Sequence, residues 1–243
     1  MTVQPSMARR LVAEALGTAL LLATVVGSGI MAERLAGGNV ALALLANTVA
    51  TGAGLVAFIL AFGPVSGAHF NPAVSLADAL QGGLAWRAVP GYVLAQVVGA
   101  VAGVAAAHAM FELPPFTASQ HVRHGASQVF SEGIATFGLL AVIWGCSRAH
   151  PRLVPFAVGA YITAAYWFTA STAFANPAVT IARSLTDTFT GIRPVDAPGF
   201  VLAQLAGAGA ATWLFRWLVP PSSADAHAVA PASHSPTHLD PLP

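Results

Sequence analysis

The sequence predicts an all-helical membrane protein built as an inverted repeat. Each half holds three spanning helices and one re-entrant half-helix. Three observations predict this. The 243 residues are 56% hydrophobic and only 8% charged, where a soluble domain carries about 25% charged residues. Six apolar runs are long enough to cross a hydrocarbon core of ~30 Å, which takes ~20 helical residues. The phrase Asn-Pro-Ala-Val occurs twice, at Asn71–Val74 and Asn176–Val179.

Composition also excludes several classes. The net charge is +1 and every basic residue is Arg, which makes no case for a nucleic-acid partner. One cysteine, Cys146, excludes an internal disulfide and a Cys-rich metal site, and reads as plain packing. No cofactor is implied.

The first run, Leu11–Met31, follows Arg9-Arg10, the form of a twin-Arg export signal. Glu14 lies inside it, however, and five more runs follow, so it reads as the first span behind a short segment of residues 1–8. The others are Val40–Phe62, Trp86–Met110, Gln128–Cys146, Leu153–Ala170 and Pro198–Val219. Short polar links join them. Residues 9–219 form one membrane domain, with repeats at about 9–110 and 126–219. The tail, 220–243, is Pro, Ser, His and Ala and reads as disordered. Its His227, His234 and His238 are irregularly spaced, as in a solvated tail rather than a metal site.

The repeat is visible in the letters. PGYVLAQVVGAVAG (Pro90–Gly103) matches PGFVLAQLAGAGAA (Pro198–Ala211) at nine of fourteen positions. Glu14 and Glu132 each stand near the start of a half, in AEALGT and SEGIAT. Each Asn-Pro-Ala-Val falls between the second and third spans of its half. Three spans is an odd number, so the second half enters from the opposite side of the membrane. With a cytoplasmic N-terminus, six arginines face the cytoplasm and four the other side. That mild positive-inside bias places both termini in the cytoplasm, and the chain in the inner (plasma) membrane.

Pro72–Leu80 is nine residues, a helical rise of ~13 Å, about half the hydrocarbon thickness. Such a segment dips in and stops near the midplane. Pro suits its first position because the missing N–H would have had no partner there. Asn before it is a good N-cap, which leaves its –NH2 free to donate into a cavity. Two such half-helices entering from opposite faces bring Asn71 and Asn176 together, with both positive dipole ends at the same point. The extended segments Gly67–Phe70 and Thr172–Ala175 cannot bond to lipid, so their carbonyls are expected to line a polar pore.

These motifs resemble those of the aquaporin and aquaglyceroporin (major intrinsic protein) family. The resemblance covers Ala8 to about Val219 and rests on AEALGT, SGAHFNPAV, PGYVLAQVVGA, the second Asn-Pro-Ala and VLAQLAGA. It implies an aquaporin-like bundle of six helices and two half-helices, one pore per subunit, and a homotetramer. It implies that Asn71, Pro72, Ala73, Asn176, Pro177 and Ala178 close the pore at midplane. Glu14 and Glu132 would buttress the pore loops. Gly99/Gly103 and Gly207/Ala211 would let helices cross closely. His69 reads as a loop histidine bonded to backbone.

The chain departs from the family at the filter. Most members have an Arg directly after the second Asn-Pro-Ala; here it is Val179. Arg183, one turn later, is expected to snorkel or pair with Asp187 at i+4 rather than serve the pore. Asp78 gets a similarly structural reading. Counting from the motifs puts Thr51 and Ala173 at the filter, with the fifth-span position open among Ala164, Ala165 and Tyr166; Tyr166 is the candidate carried forward. This set predicts a wider, uncharged mouth. Together with YITAAYWFTAS it resembles a bacterial branch found among arsenic-resistance genes, which implies permeation by water, glycerol-like polyols and neutral metalloid hydroxides such as arsenite. A strict water channel is the alternative. A secondary transporter needs titratable groups at midplane, and an enzyme needs a nucleophile or paired acids there; neither set is present in the motifs.

Overall fold

The computed structural model describes residues 5–218. The tail and its three histidines lie outside the described residues. Eight α-helices follow in order: α1 (Met7–Leu35), α2 (Val40–Ser66), α3 (Pro72–Leu80), α4 (Val89–Met110), α5 (Ala126–Ala149), α6 (Val154–Phe168), α7 (Pro177–Arg183) and α8 (Ala197–Leu218). No strand occurs among the described residues.

The six apolar runs become α1, α2, α4, α5, α6 and α8. Five of these stretches are long and apolar enough to cross a membrane. The fifth run differs from expectation. It opens with a 3-10 turn at Pro151–Leu153 and continues as the 15-residue α6, which stops at Phe168. Turn and helix together still rise ~28 Å. At the other extreme, α2 continues past Phe62, through Pro64, and ends where Gly67 takes φ 92°. Only glycine adopts that conformation without strain.

The bundle is assembled from close helix pairs: α1 with α4 and α2, α5 with α8 and α6, and α2 with α6 across the two halves. Backbone approach makes the first of these possible. A Cβ on Gly99 would lie 2.2 Å from the Ala15 carbonyl oxygen, and one on Gly103 2.2 Å from that of Ala19. In the second half, a Cβ on Gly207 would lie 2.2 Å from the Gly133 carbonyl oxygen. Small residues replace the hydrophobic drive that lipid does not supply between helices. The outward faces are apolar: Val12, Leu16 and Leu20 on α1 are exposed, while Ala13, Gly17 and Leu21 beside them are buried. Lipid is the solvent that suits such a surface.

Candidate functional site: a pore between the half-helices

The half-helices α3 and α7 start from capped asparagines. The Asn71 side-chain oxygen accepts from Ala73 N–H at 2.9 Å; that of Asn176 accepts from Ala178 N–H at 3.0 Å and Val179 N–H at 3.3 Å. Pro72 and Pro177 open the helices. The free –NH2 expected from the sequence is only half free. Asn71 Nδ2 donates to the Ala175 carbonyl at 2.7 Å, and Asn176 Nδ2 donates to the Phe70 carbonyl at 2.8 Å. The half-helices are thus tied to each other by two reciprocal bonds. One proton of each amide remains for the cavity.

The segments before each Asn are held from behind. Glu14, fully buried, accepts from Ser66 Oγ (2.6 Å), His69 N–H (3.0 Å), Phe70 N–H (2.7 Å) and Gln96 Nε2 (2.8 Å). Glu132, also fully buried, accepts from Phe174 N–H (2.8 Å), Ala175 N–H (2.8 Å) and Gln204 Nε2 (2.6 Å). A bare carboxylate in lipid is costly; one met by several charge-assisted bonds is a firm anchor. The anchored segments run along the cavity wall, which includes Gly67 to Asn71 and Ala173 to Asn176. Ala68, Phe70, Thr172, Ala173 and Ala175 sit at φ between 46° and 60°. Non-glycine residues pay about 1–2 kcal/mol each there, and the two anchors hold them. Gln96 and Gln204 were not singled out in the sequence. Their shared place in the VLAQ repeat is the signal that finds them.

A cavity of about 280 Å³ follows this scaffold. Near the face that carries the N-terminus its wall includes His69, Asp78, Trp144 and Ser147. Asn71, Asn176, Ala173, Val179, Thr51 and Tyr166 also line it, and Arg183, at the outer end of α7, lines it toward the far face. Of the three fifth-span candidates, Tyr166 is in the cavity wall, buried with its hydroxyl 3.4 Å from Thr51 Oγ1; Ala164 is exposed and Ala165 is not in the wall.

Three expectations are corrected. His69 bonds side chains, not backbone, through its ring: Nδ1 lies 3.0 Å from Ser75 Oγ and Nε2 3.6 Å from Asp78. Asp78 is in the cavity wall rather than merely structural. Arg183 neither snorkels nor pairs with Asp187. It is 2% exposed, with its guanidinium carbon 3.4 Å from the centre of the Phe174 ring and its Nε donating to the Thr190 carbonyl. Helical side chains lean toward their own N-terminus, so Arg183 reaches back one turn toward Val179. Asp187 is taken instead by Gln120 N–H at 2.8 Å. The mouth is therefore not uncharged.

A second arginine, Arg123, enters from the link before α5. Its Nε donates to Gly191 O at 2.8 Å, its Nη1 to Ser171 O at 3.1 Å, and it lies 5.0 Å from the same Phe174 ring. That link is fastened by Asp196, which accepts Arg123 N–H at 3.0 Å and both Arg193 nitrogens at 2.9 and 3.0 Å. The Arg193 hydrogen bonds hold the Asp196 carboxyl below its ordinary value.

Comparison with known proteins fits this geometry. The major intrinsic protein family profile matches residues 1–166. Aquaglyceroporin AqpS of Rhizobium meliloti (strain 1021) is 62% identical over 214 residues, 88% of this chain and 91% of that protein. Aquaporin NIP1-3 of Oryza sativa subsp. japonica is 34% identical over 217 residues, 86% of this chain and 73% of that protein. The crystal structure of the aquaglyceroporin from Plasmodium falciparum superposes with a TM-score of 0.68 over 88% of this chain and 98% of its own; at 22% identity it speaks for the fold alone. With the matched profile spanning most of the chain and a relative so similar over its length, the chain belongs to the major intrinsic protein family.

Proposed function

We propose that this protein is a passive membrane channel for small uncharged solutes: water, glycerol-like polyols and neutral metalloid hydroxides such as arsenite. The observation that carries the reading is the wall where the two half-helices meet. It offers the polar backbone of two extended segments and one spare proton on each of Asn71 and Asn176, inside a largely apolar bundle. A solute with hydroxyls finds partners there for its lost hydration. Val179, in the same wall as Thr51 and Ala173, is a smaller and uncharged side chain than an Arg at that position. An aquaglyceroporin relative of high identity supports polyol permeation over enzymatic turnover.

A strict water channel is the second reading. Tyr166 and Arg183 favour it, because both stand in the wall and narrow it. Stopped-flow light scattering on proteoliposomes separates the two. With Val179 in place, glycerol and arsenite gradients dissipate faster than in empty vesicles, and Val179→Arg slows both by about tenfold or more while water flux falls less. Movement of water alone would establish the second reading.

The subunit is proposed to assemble as a homotetramer through its exposed apolar faces, which light scattering of the detergent complex measures. Cytoplasmic termini and an inner-membrane location are proposed from the Arg bias. Cys146, near the N-terminal-face end of α5, reports them by labelling from one side with an impermeant maleimide.

A further inference from the structure

Among the described residues, two arginines on the far side have no carboxylate in contact. No carboxylate oxygen of a described residue lies within 4.0 Å of the Arg183 or Arg123 guanidinium. The neighbouring acids hydrogen-bond other groups: Asp187 accepts from Gln120 N–H, Asp196 from Arg193 and the Arg123 backbone, and Glu132 from its three donors. Arg183 is 2% exposed and Arg123 8%. Both guanidiniums lie against the one Phe174 ring. Carbonyls of Thr190, Gly191 and Ser171 satisfy three of their donors without supplying a full negative charge, and Glu132 attracts both arginines only from beyond contact distance. Among the described residues, both Nη groups of Arg183 donate to no protein atom, and Arg183 is in the cavity wall.

Burying two like charges with no anion in contact is costly. A free guanidinium fork has the geometry of a two-oxygen acceptor. We propose that the far mouth of the pore is a binding site for a small monovalent oxyanion, held on the free Nη fork of Arg183 with Arg123 beside it, and that the bound anion occludes the pore. This rests on the channel reading above. Occlusion rather than passage follows from the other end of the cavity: Asp78 stands in its wall there, and an anion that entered at Arg183 would have to leave past that carboxylate. The site therefore makes neutral-solute flux sensitive to the anion on the far side.

The test uses nitrate, a planar oxyanion that carries its charge at every working pH, exchanged for chloride at constant ionic strength. Two readouts run together: glycerol flux in proteoliposomes, and the melting temperature of the detergent-solubilised protein. In wild type, nitrate lowers glycerol flux saturably by about threefold or more and raises the melting temperature, as a ligand of the folded state must. Each variant is read as its own ratio with and without nitrate. Arg183→Met removes the sensitivity. Arg183→Lys, which keeps the charge but not the fork, weakens it by about tenfold, and serves if the Met variant does not fold. Equal wild-type flux and melting temperature in nitrate and chloride would overturn the proposal and leave the arginines as staples for the loops they touch. So would undiminished sensitivity in Arg183→Lys. If the wild type conducts no glycerol at all, the channel reading fails, while the melting-temperature readout still decides whether the anion binds.

Discussion

Glu14 and Glu132 show how a residue forbidden by its surroundings becomes the most necessary one in them. Each is an acid in a lipid-facing bundle, and each is fully buried. Each meets a backbone segment bent into a left-handed conformation, and its oxygens give that segment's N–H groups their partners. Glu14→Gln puts an amide –NH2 where donors already point. It is expected to destabilise the protein by about 2–3 kcal/mol, seen as a lower melting temperature by tryptophan fluorescence. Glu33→Gln, on the exposed side of α1, leaves the melting temperature where it was. The sequence makes Glu14 legible, because an acid within an apolar run calls for a partner. It does not make Arg183 legible in the same way. Counting i+4 along α7 suggests Asp187, and only the path of the link before α5 shows that Gln120 has taken it.

At the scale of elements, glycine positions decide how closely helices cross. Gly99→Ala would push a Cβ against the backbone of α1 at Ala15, with 2.2 Å to its carbonyl oxygen. Backbone cannot swing aside as a side chain can, so the substitution is expected to cost about 2 kcal/mol. Gly209→Ala is the matched control. It lies in α8 with nothing within 4 Å of the added Cβ, and gains up to about 1 kcal/mol of helix propensity. The order of melting temperatures, Gly209→Ala at or above wild type and Gly99→Ala below it, checks both. The spans themselves were readable from hydropathy. Their ends were less so: the Pro151–Leu153 turn and the stop at Phe168 depend on where the loop must descend toward Asn176.

At the scale of the molecule, the two half-helices are joined where Asn71 and Asn176 bond each other's preceding segments. Both carboxylates behind the wall are fixed by donors, so nothing at the midplane is left to carry a proton with the solute. Glycerol flux is accordingly expected to rise linearly with its gradient, without saturation, and to be unchanged by an imposed proton gradient. Flux that saturates in the low millimolar range, or that follows the proton gradient, would point to a transporter instead.

The sequence by itself determined the membrane solvent, the spans, the two halves and the inversion between them. Those depend on composition, run length and the parity of the crossings, all of which are local or countable. It also identified the capping asparagines, because a cap is a contact within a few residues. Only the tertiary structure decided which side chains face the cavity. Tyr166 rather than Ala164, Asp78 in the wall, and two arginines on one phenylalanine ring each depend on how helices rotate and on loops far apart in the chain. Charge at a pore mouth is a property of that convergence, and no single stretch of sequence contains it.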